Sequence, residues 1–185
     1  VKQAKADGYR SRAAYKLIEL DEKFSLLNGV TRVVDLGIAP GGWSQVVRKR
    51  KPRAHVVGID LLEVEPIEGV TILQMDFMAD DAPRALEEAL GGKAELVLSD
   101  MAANTVGHKQ TDHLRTMGLV EAGAWFAIEN LAPGGTYLAK VLAGGTDTDL
   151  LTLLKQHFRT VKHAKPPASR KDSSEWYVIA QGFKG

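Results

Sequence analysis

Lys140 stands inside an otherwise apolar run, Tyr137-Leu-Ala-Lys-Val-Leu142, where a strand buried in a parallel sheet would carry only apolar side chains. An ammonium there has to reach solvent or find anionic partners. Carboxylates occur at matching places. Asp100 ends the run Leu96-Val-Leu-Ser99, Asp60 ends Val56-Val-Gly-Ile59, Asp76 follows Val70 to Met75, and Asp35 follows Val33-Val34. A single acid after a strand is ordinarily a cap or turn residue. Four of them predict a rim of carboxylates along one edge of a sheet. Such a rim can accept hydrogen bonds from ligand hydroxyls, and a lysine beside it can manage a proton.

The stretch Val33 to Ser44, VVDLGIAPGGWS, carries the second signal. An apolar β-branched run meets an acid, breaks at glycines and restarts with helix-compatible residues, as where a parallel strand hands over to a helix beneath a nucleotide-like ligand. Gly37, Gly41 and Gly42 allow a backbone approach that a Cβ would block. The spacing is not G-x-G-x-x-G, and Pro40 and Trp43 occupy the turn, so a pyrophosphate is not required. Asp60 lies 23 residues beyond Gly37, near the offset at which an acid takes ribose hydroxyls in a nucleotide-binding βαβ unit. The ligand should contain a ribose.

The elements that must position these groups alternate. Ser11 is expected to cap a helix through Phe24, with Leu17, Leu20 and Phe24 on one face. Strands are expected at Arg32–Leu36, His55–Ile59, Val70–Leu73, Leu96–Leu98, Thr136–Leu142, Thr160–His163 and Trp176–Ala180. Helices are clearest at Pro83–Leu90, Leu114–Leu131 and Asp149–Phe158. This calls for an α/β fold, a mostly parallel seven-stranded sheet with helices on both faces. About ten residues, including Pro166 and Pro167, separate the last two strands. A parallel crossover needs a dozen or more, so the link is a hairpin and the last strand antiparallel. Glu175 then falls at the carboxyl edge, where open α/β sheets bind ligands.

At 185 residues, 44% hydrophobic and 25% charged, the chain fits one globular domain over 1–185. No apolar run approaches a membrane span and no signal peptide is evident. Cysteine is absent, which excludes disulfides and thiolate metal sites and fits a reducing cytosol. The chain opens on Val1, so an initiating segment is expected to be missing. Net charge is only +1, yet cations cluster at Lys2, Lys5, Arg10, Arg12 and Lys16, at Arg48 to Lys51 with Arg53, and at Arg159, Lys162, His163, Lys165, Arg170 and Lys171. Such patches favour a polyanion such as nucleic acid, although Arg48 to Lys51 would also suit a helix C-terminus. His108 and His113 have no third ligand at sensible spacing, so a substrate loop is expected there and no metal. Trp125 and Phe126, mid-helix, are expected in the core.

With these residues read, the chain resembles the FtsJ/RrmJ family of S-adenosylmethionine-dependent ribosomal RNA 2′-O-methyltransferases, with a Rossmann-like methyltransferase fold. The matching segments are SRAAYKL (11–17), VVDLGIAPGGWSQ (33–45), Asp60-Leu61-Leu62, Asp76-Phe77, LSDMAAN (98–104), LAPGG through Lys140-Val141, and SSEWYVIA (173–180). They cover nearly the whole chain in order. Two positions depart: Ala103 stands where the family commonly has Pro, and Ile38 where it has Ala. The resemblance implies a catalytic Lys-Asp-Lys-Glu tetrad at Lys16, Asp100, Lys140 and Glu175. It implies cofactor contacts at Gly37, Gly41, Gly42, Trp43, Asp60, Asp76, Phe77 and Asp100, with Asp60 on the ribose and Asp76 on the adenine amino group. The implied substrate is a uridine of large-subunit ribosomal RNA in the ribosomal subunit, and a cytoplasmic monomer is expected.

The chemistry is displacement at a methyl carbon, so the protein mainly aligns a ribose 2′-hydroxyl and manages one proton. A free lysine is protonated at neutral pH and cannot take that proton. Neighbouring cations and burial favour the amine, and neighbouring carboxylates the ammonium. Lys140 is expected to act as base or as the cation holding the developing alkoxide, with Lys16 and Glu175 orienting the ribose. Competing functions are a messenger RNA cap 2′-O-methyltransferase, which would need extra cap-binding segments, and a non-catalytic RNA-binding assembly factor, which would be expected to lose a tetrad member. A nicotinamide oxidoreductase would need the absent G-x-G-x-x-G turn.

Overall fold

In the order β3-β2-β1-β4-β5-β7-β6, seven strands hydrogen-bond into one sheet in the computed structural model. The structure describes residues 4, 6–101, 109–142, 148–168 and 175–185, the side chains of 109–113 and 142 excepted. In chain order the elements are α1 (Ala13–Phe24), β1 (Arg32–Leu36), α2 (Gly42–Arg50), β2 (His55–Asp60), β3 (Val70–Gln74) and α3 (Ala82–Leu90). These are followed by β4 (Ala94–Ser99), α4 (Lys109–Asn130), β5 (Leu131–Leu142), α5 (Thr148–His157), β6 (Phe158–Ala164) and β7 (Glu175–Phe183). β1 pairs in parallel with both β2 and β4, so the strand order reverses there. That reversal opens the crevice in which such sheets bind ligands. β7 is antiparallel to both β5 and β6, as the short proline-containing link requires.

Strand residues alternate between two cores, because successive side chains point to opposite faces. Val33, Val56, Leu96, Leu98, Leu138, Tyr177 and Ile179 pack under α1 and α2 with Leu17, Leu20, Trp43 and Val47. Val34, Val57, Val97, Ala139, Val141, Val178 and Ala180 pack on the other face with residues of α3, α4 and α5. The parity has a consequence for the polar residues. Lys140 shares its face with Leu138, and Glu175 shares its face with Tyr177. Both therefore project towards α1.

Several boundaries differ from the sequence reading. Ser11 caps nothing: the helix begins at Ala13, its N-cap is Arg12 without a side-chain cap bond, and among the described residues Ser11 Oγ has no hydrogen-bond partner. β5 starts at Leu131 rather than Thr136, because the Ala-Pro-Gly-Gly tract is taken into the strand with a register shift opposite Ala94 and Leu96. Asp35 is not on the rim. It lies within β1 and is only 1% exposed, so the rim acids are Asp60, Asp76 and Asp100. Phe126 is buried and meets Phe77 edge-on, whereas Trp125 is 47% exposed and lies against His157. Adjacent helical positions lie about 100° apart, so one faces the sheet and the other faces out. Ala103, Asn104, His108, Arg170 and Lys171, with Lys2 and Lys5, lie outside the described residues, as does the His113 side chain.

Candidate active site

Four side chains distant in sequence meet at the carboxyl edge of the sheet. Lys140 Nζ lies 3.3 Å from Asp100 Oδ1 and 3.7 Å from Glu175 Oε1, while Lys16 Nζ donates to Glu175 Oε2 at 2.9 Å. Glu175 thus bridges two ammonium groups, and Lys140 bridges two carboxylates. Each residue comes from a different element: Lys16 from the first turn of α1, Asp100 from just past β4, Lys140 from β5 and Glu175 from the first position of β7. All four are partly buried. The ammonium that is out of place in an apolar strand has its partners here.

Burial pushes the Asp100 carboxyl above the ordinary range, and the Lys140 ammonium opposes the rise. Burial also acts to raise Glu175, but the hydrogen bond from Lys16 and the charge of Lys140 outweigh it and hold that carboxyl below its usual value. The quartet therefore contains a carboxylate secured as an anion and another that resists ionisation. Behind it, Tyr177 pairs with Lys140 across β5 and β7 and tilts against Trp43. Its hydroxyl is raised well above the ordinary phenol range, first by burial and then by the Asp100 and Glu175 charges, so it stays neutral.

Asp100 also borders a cavity of about 380 Å³ lined by Gly37, Ala39, Asp60, Leu61, Asp76 and Phe77, among others. Asp60 accepts the Ala39 and Leu62 N–H groups, one on each oxygen, at 2.9 and 3.0 Å. Asp76 accepts the Met78 N–H at 2.9 Å. Each carboxylate oxygen has a further lone pair for a ligand donor. A narrower cleft runs from Asp100 to Ser11, Asp35, Gly37, Pro40, Gly42 and Trp43. Gly37 has φ +78°, and a Cβ there would come within 2.8 Å of Met101 Cγ. Gly41, with φ +124°, precedes α2 and leaves the first N–H groups of that helix facing the cleft end. The Trp43 ring is buried and its Nε1–H donates to Ala13 O at 2.8 Å. What Trp43 can offer a ligand is its backbone N–H.

The profile of FtsJ-like methyltransferases matches residues 9–183. The chain belongs to the FtsJ-like methyltransferase family. A relative from Erythrobacter litoralis, called ribosomal RNA large subunit methyltransferase E, is 82% identical over the whole chain and 84% of its own length. A relative of the same name from Novosphingobium aromaticivorans is 77% identical, over the whole chain and 83% of its own length. The crystal structure described as a ribosomal RNA methyltransferase from Plasmodium falciparum superposes with a TM-score of 0.83 at 34% identity, covering 96% of this chain and all of its own.

This FtsJ-like methyltransferase contains site residues whose part the sequence does not reveal. Asp35 takes the Ser44 hydroxyl at 2.7 Å on one oxygen, and among the described residues its other oxygen has no partner. Burial raises its pKa to about 7, against the Ser44 bond, and the charges of Asp100 and Asp60 add to the rise. Only its polarity inside an apolar strand could have pointed to it. Arg10, in sequence part of a cluster suited to RNA, instead donates to the carbonyls of Pro40, Glu65 and Pro66, pinning the glycine turn to the loop before β3. Arg48 likewise donates to Glu68, Pro52 and Ala54 carbonyls, and Arg50 pairs with Asp21 at 2.7 Å. Among the described residues, Arg12, Lys49, Lys51 and Arg53 make no ion pair. The basic block is thus divided between internal fastening and cations that no carboxylate balances. Among the described residues, no group of three or more potential ligands could hold a metal, and no helix is long and apolar enough to cross a membrane.

Proposed function

We propose that this methyltransferase transfers a methyl group from S-adenosylmethionine to a ribose 2′-hydroxyl of large-subunit ribosomal RNA, a uridine of the ribosomal subunit. The observation that carries the reading is Lys140 held between Asp100 and Glu175, with Lys16 on the far side of Glu175, at the border of a ribonucleoside-sized cavity. Names of close relatives supply the substrate class.

The residues present suit the donor. Asp60 would take the cofactor ribose, and Asp76 the adenine amino group beside Phe77. At the cleft end the unpartnered Ser11 Oγ and Asp35 oxygen, with the free N–H groups of Gly42 and Trp43, suit an amino-acid group bearing both charges. Gly37 and Gly41 keep the walls backbone-thin. When bound, S-adenosylmethionine supplies a methyl carbon already activated by its sulfonium.

The side chains of this chain then have two tasks. Lys16 and Glu175 hold the acceptor ribose so that its 2′-oxygen stays aligned, which converts orientation into rate. Lys140 Nζ either takes the hydroxyl proton as an amine or holds the developing alkoxide as an ammonium. Residues 1–185 would act as one unit and as a monomer in the cytoplasm. A single sheet drawing on Arg32 to Phe183 supports the reading as one unit.

The test incubates the protein with labelled S-adenosylmethionine and large ribosomal subunits lacking the modification, then maps the labelled ribose. Lys140→Ala should abolish transfer while cofactor affinity stays near wild type; substantial turnover would refute the assignment. Single-turnover rates across pH separate the two roles of Lys140, rising with pH for a base and falling at high pH, as the ammonium is lost, for a cation.

A further inference from the structure

Arg10 is bonded to the glycine turn through its backbone and again through its side chain. Its N–H donates to Gln45 Oε1 at 2.8 Å, near the start of α2. Its guanidinium donates to Pro40 O at 3.1 Å, to Glu65 O at 2.6 Å and to Pro66 O at 2.9 Å. Gln45 closes α2 onto the turn, its own N–H donating to Gly41 O at 2.9 Å, and its amide donates to Gly8 O at 3.2 Å. Residues 8–10, 39–45 and 65–67 thus meet around one side chain. Contact is close throughout: a Cβ on Gly41 would fall 2.6 Å from Ile67 Cδ1 and 3.2 Å from Arg10 Nη1.

The turn needs a tie from outside. Gly37 and Gly41 adopt φ +78° and +124°, and glycine has the most conformational freedom to lose, so these positions do not enforce the shape themselves. Pro40 has no N–H to offer, and α2 begins without a side-chain cap bond. On one side the Ala39 N–H is fixed on Asp60 Oδ2 at 2.9 Å; on the other Gln45 closes the helix. Between them Arg10 holds the Pro40 carbonyl directly. The residues so held are walls of the site: Ala39 borders both the cavity and the narrower cleft, and Pro40 and Gly42 border the cleft.

We infer that Arg10 is a positioning residue for the cofactor, a latch that keeps the turn from Ala39 to Gly42 in its ligand-ready shape, and not an RNA contact. This rests on the assignment of S-adenosylmethionine to these cavities made above. The planar guanidinium presents several fixed donors and addresses three carbonyls at once, which a lysine ammonium on a flexible stem does not. A turn that holds its binding shape for only part of the time binds with an affinity reduced by that fraction.

Calorimetric titration of the full chain with S-adenosylmethionine tests this, beside turnover on large ribosomal subunits lacking the modification. Arg10→Ala should weaken cofactor binding about tenfold. Saturating cofactor should bring its turnover back to within about threefold of wild type, a split that places the loss in binding. Arg10→Lys keeps the charge but not the fork, and should stay about fivefold or more weaker than wild type. Affinity of both variants for the ribosomal subunits should hold within about twofold, since no phosphate contact is lost. Arg48→Ala is the control for loop fastening as such, because its acceptors, the carbonyls of Glu68, Pro52 and Ala54, border neither cavity. Its cofactor affinity should stay near wild type. Unchanged cofactor affinity in Arg10→Ala, an equal loss in Arg48→Ala, or a turnover defect that saturating cofactor leaves in place would overturn the inference. Should Arg10→Ala not fold, Arg10→Lys decides alone, and wild-type cofactor affinity there overturns it. Asp60→Ala separates the two levels: undiminished affinity in that variant overturns the cavity assignment and the inference with it. A loss in Asp60→Ala beside none in Arg10→Ala overturns the latch alone.

Discussion

Asp35 shows how a single side chain can be set against the fold and for the ligand. Its carboxyl, buried in β1, has its pKa raised to about 7 from the ordinary carboxylate value of 3.8. The folded protein therefore binds a proton that the unfolded chain has already released between those values, and stability falls as pH rises from about 4 to about 7. Below that window both states are protonated and the cost disappears. Above it the cost is complete. Asp35→Asn keeps an acceptor for the Ser44 hydroxyl and carries no charge, so it should raise the melting temperature of the ligand-free protein at pH 8 more than at pH 5. The same change should weaken S-adenosylmethionine binding in calorimetry. A variant with equal gains at both pH values would show that burial of the charge is not the cause.

Among the elements, the turn between β1 and α2 depends on a match across the sheet. Ile38 occupies a position where the family commonly carries Ala, and the room for it comes from Gly58 in β2. A Cβ on Gly58 would fall 2.3 Å from Ile38 Cδ1 and 2.9 Å from Ile38 Cβ. The nearer atom is the tip of the side chain, but the second is fixed at the branch and cannot swing away. Gly58→Ala should destabilise the protein by about 1–3 kcal/mol through overpacking. Ile38→Ala in the same chain should recover most of that loss, because the two sites share one volume. Denaturant midpoints for the four members of the cycle decide it; additive losses would mean that the two positions do not compete. Neither residue suggests this pairing in sequence, since Gly58 reads as an ordinary interruption of a strand.

For the molecule as a whole, the division of the basic block decides how RNA would be met. Arg10 and Arg48 direct their donors to six carbonyls of the surrounding loops, leaving little to offer a phosphate. Arg48→Ala should therefore lower the melting temperature and leave the salt dependence of RNA binding nearly unchanged. Replacing Lys49, Lys51 and Arg53 together by Ala should do the reverse. If these cations meet single-stranded phosphates, the slope of log K against log salt should flatten by about 0.7 for each phosphate no longer neutralised. Filter binding across a salt series checks both, and a flattened slope in Arg48→Ala would contradict the division.

Much of this protein is legible in its amino-acid order alone. The sheet, its antiparallel last strand and the placement of Asp60, Asp76, Asp100, Lys140 and Glu175 at its carboxyl edge all follow from local pattern. Alternating apolar runs fix which residues form strands, and a link of about ten residues cannot cross over in parallel. The motif order across the chain then carries the family. What local pattern does not disclose is which partner each charge takes. Arg10, Arg48 and Arg50 look alike in sequence to Lys49 and Arg53, yet their ends lie against carbonyls and an acid brought close by the packing of α1, α2, the turn and the loop before β3. Ser11 reads as a helix cap and is an unpartnered hydroxyl in a cleft, and Asp35 reads as a rim acid and lies inside the sheet. Strand and helix periodicity specify a direction for each side chain, but distances between groups over a hundred residues apart exist only once both cores have packed, and hydrogen bonds and pKa values depend on those distances.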